Sequence, residues 1–121
     1  MLNKISHVCL GASDLTKTID FYCSKLKLNI AHRFKTEDGE LYGVFIDAGD
    51  GTFIEFFKES KTNKKSGLLR HICFEVEDIY ALKQHLNQEG FLIEISTGKT
   101  DGILQCWITD PDGNKIEFQQ R

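Results

Sequence analysis

A basic surplus is missing from this sequence: 15 Lys and Arg stand against 18 Asp and Glu, a formal charge of −3. A protein that lives on phosphate contacts needs the opposite balance, so nucleic acid is not an expected partner. Long apolar runs are missing too. No stretch nears the roughly 20 residues that a bilayer-spanning helix requires. The opening Met1-Leu2-Asn3-Lys4-Ile5 enters a strand pattern directly, with no signal-peptide core. The expectation is a domain with no membrane partner, placed in the cytoplasm. Cysteine occurs four times, as Cys9, Cys23, Cys73 and Cys106, without a C-x-x-C spacing. With no secretion signal, that reads as free thiols in a reducing compartment. One proline and ten glycines in 121 residues exclude a collagenous or proline-rich chain. Hydrophobic residues at 40% and charged residues at 27% are globular fractions, and the length suits one domain spanning residues 1–121.

What is present repeats. His7-Val8-Cys9-Leu10 returns as His71-Ile72-Cys73-Phe74, 64 residues on (7 to 71), and Asp14-Leu15 returns as Asp78-Ile79 at the same spacing. Asp50-Gly51-Thr52-Phe53-Ile54-Glu55-Phe56 returns 62 residues on (55 to 117) as Asp112-Gly113-Asn114-Lys115-Ile116-Glu117-Phe118, identical at five of seven positions. Two spacings that differ by two residues, in the same order, describe two copies of one unit. Each copy reads strand, helix, then three strands. The first has strands near 4–10, 29–36, 41–48 and 52–58, and a helix opened by Ser13-Asp14 with Leu15, Ile19, Tyr22 and Leu26 on one stripe. The second has strands near 69–76, 91–96, 103–109 and 114–119. Its helix runs from Asp78 to Gly90 with Ile79, Leu82 and Leu86 inward. Glu37-Asp38-Gly39, Gly49-Asp50-Gly51 and Asp110-Pro111-Asp112-Gly113 supply turn chemistry. The polar run from Lys58 to Ser66 reads as a solvated connection.

The expected fold class is therefore α+β. Two βαβββ modules, about residues 3–58 and 68–120 joined by a linker near 59–67, form a curved eight-strand mixed sheet with helices on the outer face.

Strand alternation then sorts the faces. With Val8 and Leu10 under the first helix, His7 and Cys9 point the other way, and His71 and Cys73 follow in the second copy. Glu55 and Glu117 lie in strands whose apolar neighbours make an uncompensated charge costly. A divalent metal held by His7, Glu55, His71 and Glu117 would compensate it, with two imidazoles and two carboxylates repeated by pseudo-symmetry. Such donors suit Zn, Ni, Co, Mn or Fe and do not choose among them. Cys9 and Cys73 fall on the same face as small pocket or packing residues, since no separate base attends them. Phe53, Phe57 and Trp107 are candidates for a pocket wall. His32 and His85 read as surface residues.

The repeated unit resembles the vicinal oxygen chelate superfamily, home of glyoxalase I and of fosfomycin- and bleomycin-resistance proteins. The likeness runs from His7 to Phe118. It is carried by Ser6-His7-Val8-Cys9-Leu10, by Asp14-Leu15 with Thr18-Ile19-Asp20-Phe21-Tyr22, by Arg70-His71-Ile72, and above all by Asp110-Pro111-Asp112-Gly113-Asn114-Lys115-Ile116-Glu117. The resemblance puts the family's ligand positions on His7, Glu55, His71 and Glu117. A ligand at Glu55 points toward glyoxalase-I-like members, lyases that isomerise a hemithioacetal through a metal-bound enediolate. It also implies a small-molecule substrate, one divalent ion per site and a homodimer. Glu117 is the favoured base, with Glu55 its twin. Where glyoxalase I often holds an arginine and an asparagine that contact glutathione, this chain has Gly11 and Glu59. Lys99 or Arg33 are the alternative holders of an anionic group. The alternative reading is a non-catalytic small-molecule or antibiotic-binding protein of the same fold.

Overall fold

A computed structural model describes residues 1–2, 4–60, 69–98 and 102–120. Most of the expected linker, and Lys99, lie outside these residues. The chain forms two compact units, Met1–Ser66 and Gly67–Arg121.

In the first unit, β1 (His7–Ala12), β2 (Asn29–Lys35), β3 (Leu41–Gly49) and β4 (Thr52–Lys58) form a mixed sheet ordered β1-β4-β3-β2. β1 and β4 run parallel; the other pairs are antiparallel. The second unit repeats this plan. Here β5 (Ile72–Glu75), β6 (Ser96–Thr97), β7 (Leu104–Thr109) and β8 (Lys115–Gln120) are ordered β5-β8-β7-β6. The α+β class and the duplicated module stand as read, with the eight strands hydrogen-bonded as two four-stranded sheets. No helix among the described residues is long and apolar enough to cross a membrane.

The helices begin as their capping residues dictate. Asp14 opens α1 (Leu15–Ile19) by accepting from Lys17 N at 3.2 Å. Asp78 opens α2 (Ile79–Gln88) by accepting from Tyr80 N at 3.0 Å and Ala81 N at 3.1 Å. Replacing Asp78 by alanine orphans both amides and is expected to cost about 1 kcal/mol, read as a lowered denaturant midpoint with an unchanged slope.

After α1 the backbone widens into a π-helical turn, Asp20–Lys25, where Leu26 N bonds to Phe21 O at 3.0 Å. That extra residue per turn changes the expected stripe. Leu15 and Tyr22 are buried as expected, Ile19 and Leu26 are only half-buried, and Thr18 and Phe21 take core places. In α2, Ile79 and Leu86 are fully buried and Leu82 half-buried. The helix ends on Gly90, whose φ of +95° favours glycine.

Two strands are shorter than the alternation suggested. β1 starts at His7 because Ile5 lies in solvent. Of the run expected near 91–96, only Ser96–Thr97 pairs, with Gln105 and Leu104 of β7. Ile93 still reaches the core while Leu92 is exposed, so the alternation was present without partners for the backbone.

Candidate metal centre

Cross-strand register puts matching residues in matching rows. On the sheet face away from its helix, the first unit aligns Cys9, Glu55 and Phe45; the second aligns Cys73, Glu117 and Trp107. Each histidine sits two residues before its cysteine and faces the glutamate of the next strand. The opposite rows, Leu10, Phe56 and Val44 in one unit and Phe74, Phe118 and Cys106 in the other, run through the cores. The repeat thus delivers the same chemistry twice.

The two copies differ in detail. His7 Nε2 lies 4.0 Å from Glu55 Oε1, whose side chain is 18% exposed. His71 Nε2 lies 3.3 Å from Glu117 Oε2, and Glu117 is buried at 4% exposure. Glu117 Oε1 accepts from the Gln119 amide at 2.6 Å and faces Cys73 Sγ at 3.7 Å. The residue matching Gln119 in the first unit is Phe57, which offers no donor; its ring lies among Phe34 and Tyr42 instead. Phe45 meets His7 edge-on at 5.4 Å, and Trp107 meets His71 edge-on at 4.8 Å.

Each unit therefore brings one predicted histidine against one predicted glutamate. Among the described residues no three His, Cys, Asp or Glu side chains are grouped as a metal cluster. Burial and the adjacent Glu55 carboxylate push the Cys9 thiol up, with Glu59 adding to it. Burial likewise raises Cys23 and Cys106. Neutral thiols are poor nucleophiles, but Cys9 and Cys73 are exposed rather than packed away, and only Cys106 is buried.

Phe53 stacks on Phe45 at 4.6 Å and is half-buried. Trp107, 37% exposed, does line a hollow of about 440 Å³, with Arg70, His71, Ile108, Thr109 and Lys115. Arg33 shares the helix-side row of Val44 and acts electrostatically on Cys23, away from the His7 face. His32 shares the Glu55 face, edge-on to Phe34 at the sheet's outer strand. Gly11 and Glu59 prove to be neighbours: a side chain built on Gly11 would run into the Glu59 carboxylate.

Phe45 and Gln119 were not singled out from sequence. Both were recoverable from the repeat, since Phe45 matches Trp107 and Gln119 lies two residues beyond Glu117 on one face.

Comparison with known proteins identifies the family and the fold. The family model of the Glyoxalase/Bleomycin resistance protein/Dioxygenase superfamily matches residues 4–118. A lactoylglutathione lyase of Neisseria meningitidis is 27% identical, covering 98% of this chain and 91% of that protein. The glutathione transferase FosA of Serratia marcescens is 30% identical, covering 98% and 81%. The crystal structure of a glyoxalase family protein from Enterococcus faecalis superposes with a TM-score of 0.79 at 25% identity, covering 96% of each chain.

Proposed function

Because the chain belongs to the glyoxalase/bleomycin resistance protein/dioxygenase superfamily, we propose that it is a metal-dependent lyase or isomerase of the glyoxalase type. Its substrate is a hemithioacetal or a similar small molecule with vicinal oxygens. His7, Glu55, His71 and Glu117 are the proposed ligands of one divalent ion, supplied by one chain or across a homodimer. A cytoplasmic setting belongs to the same reading.

The donor geometry supports this. His71 with Glu117, 3.3 Å apart, and His7 with Glu55, 4.0 Å apart, are the imidazole–carboxylate pairs that would hold such an ion. When bound, such an ion supplies Lewis acidity toward substrate oxygens. The observation that carries the proposal is the buried Glu117, set against His71 and fixed by Gln119.

The chain's own part is proton movement. Glu117 takes the proton from the carbon bearing sulfur and hydroxyl and returns it to the neighbouring carbonyl carbon, while the hydroxyl proton passes to the former carbonyl oxygen. The carboxylate ends as it began, and the adduct leaves as a hydroxy-thioester. Gln119 occupies Oε1, which keeps Oε2 directed at His71.

Gln119→Leu removes that restraint and is expected to weaken divalent-metal affinity by roughly 10- to 100-fold. Competition titration against a fluorescent chelator reads the change; an unaltered affinity removes Gln119 from the account. The function itself is tested by metal analysis of the purified protein and by turnover of methylglyoxal with a panel of thiols. Stoichiometric metal without turnover on any thiol adduct would defeat the enzyme assignment.

The contact between Gly11 and Glu59 favours a second reading, a non-catalytic binder, because two positions that serve glutathione in relatives offer no such donors here. Turnover beside calorimetry on the metal-loaded protein separates the readings: tight ligand binding without turnover of any thiol adduct selects the binder.

A further inference from the structure

The two units match row for row except beside the histidine. In the first, the row next to His7 holds Phe53 and Asp47, and Ser6 precedes the histidine. The matching positions of the second are Lys115, Thr109 and Arg70. An aromatic ring, a carboxylate and a hydroxyl have become two cations and a hydroxyl. The exchange also changes the space. Phe53 stacks on Phe45 and fills the first unit's face, whereas Lys115 leaves Trp107 uncovered above the hollow of about 440 Å³.

Arg70 and Lys115 both line that hollow, are exposed, and make no ion pair among the described residues. Two unneutralised cations on one concavity are notable in a chain of net charge −3. A guanidinium fork and an ammonium lining one hollow with a threonine are donors that suit an anionic acceptor. The Trp107 indole gives the same hollow an apolar wall suited to a flat or apolar body.

We infer that this hollow is an anion subsite. It takes the carboxylate or phosphate-type group of a small molecule between Arg70 and Lys115, with the molecule's apolar part against Trp107. Since His71 forms its edge, an anion held here leaves the rest of the molecule next to the proposed metal ligands. Calling the occupant a substrate rests on the function proposed above; the binding does not. The subsite also explains how a chain with Glu59 over Gly11 can still recognise an acidic ligand, from the second unit.

Trp107 is the only tryptophan in the chain, so its fluorescence reports this hollow alone. The test titrates the chelator-treated full chain with phenylphosphonate, benzoate and benzyl alcohol. A saturable change with either anion and none with the alcohol is expected, and the tighter anion names the preferred group. Arg70→Gln and Lys115→Gln should each weaken binding about tenfold, Arg70→Lys and Lys115→Arg should retain most of it, and Lys17→Gln on α1 should change nothing. Equal binding of the alcohol, no saturable change, parent-like affinity in both glutamine variants, or an equal loss in Lys17→Gln each overturn the subsite. Anion binding by a protein that takes up no metal upholds the subsite and defeats the function; metal uptake with thiol-adduct turnover but no anion binding does the reverse.

Discussion

Glu117→Gln is expected to lower kcat on methylglyoxal–thiol adducts by roughly 10²- to 10⁴-fold, with thermal stability nearly unchanged. The substitution keeps shape and volume in a site with little exposed surface. Its carbonyl oxygen can still accept from Gln119, as Glu117 Oε1 does at 2.6 Å, so the buried amide is not left unpaired. What the variant lacks is the ability to take a proton and the negative charge a cation would meet, so kcat is compared at saturating metal with the bound metal measured. Steady-state kinetics beside a melting curve therefore separates chemistry from folding. Glu55→Gln is the control that the repeat provides. Glu55 faces its histidine at the longer 4.0 Å and lacks an amide donor two residues on, so it is the less constrained carboxylate. A larger kcat loss in Glu55→Gln than in Glu117→Gln would transfer the base to the first unit.

The duplication makes most of this legible in the sequence. Once His7-Val8-Cys9 and His71-Ile72-Cys73 are recognised as one motif used twice, alternation alone puts histidine, cysteine and glutamate on the face away from the helix. The described rows follow that pattern. Asp14 and Asp78 likewise announce their helices, because a carboxylate before an apolar stripe has orphan amides to accept from. The failures share a cause: each depends on a partner outside the local pattern. Residues 91–95 alternate like a strand, but only Ser96–Thr97 find backbone partners on β7. The π-helical turn shifts burial from Ile19 and Leu26 to Thr18 and Phe21 through one altered hydrogen-bond step. Gly11 and Glu59 read separately as two lost donors, and only their contact reveals one coupled change. The difference between Glu55 and Glu117 hangs on Phe57 against Gln119, the kind of substitution that a repeat-based argument averages away.

Asp110→Ala is expected to destabilise the protein by about 3 kcal/mol. Asp110 is 5% exposed and is the hub of the β7–β8 hairpin. Its Oδ1 accepts from the backbone amides of Asp112 and Asn114, both at 2.9 Å, and its Oδ2 accepts from the Asn114 side-chain amide at 2.8 Å. The main chain closes around it, with Asp110 N donating to Asn114 O at 2.9 Å and Gly113 N donating to Asp110 O at 3.0 Å. Gly113 has a φ of +87°, where a side chain would be strained. Alanine removes three acceptor contacts at once and leaves their donors in a part-buried turn, which is why the expected loss exceeds that of the Asp78 cap. For a chain of this size it corresponds to a fall in Tm on the order of 10 °C. Asp110→Asn retains one oxygen and sets its new amide against that of Asn114, so about 1 kcal/mol is the expected loss. The consequence reaches the site because Lys115 and Glu117 follow directly on the same hairpin. In Asp110→Ala, metal affinity and anion binding at Trp107 should both weaken, although neither ligand touches the turn. Full stability in Asp110→Ala, or lost stability with both affinities intact, would separate this hairpin from the chemistry it carries.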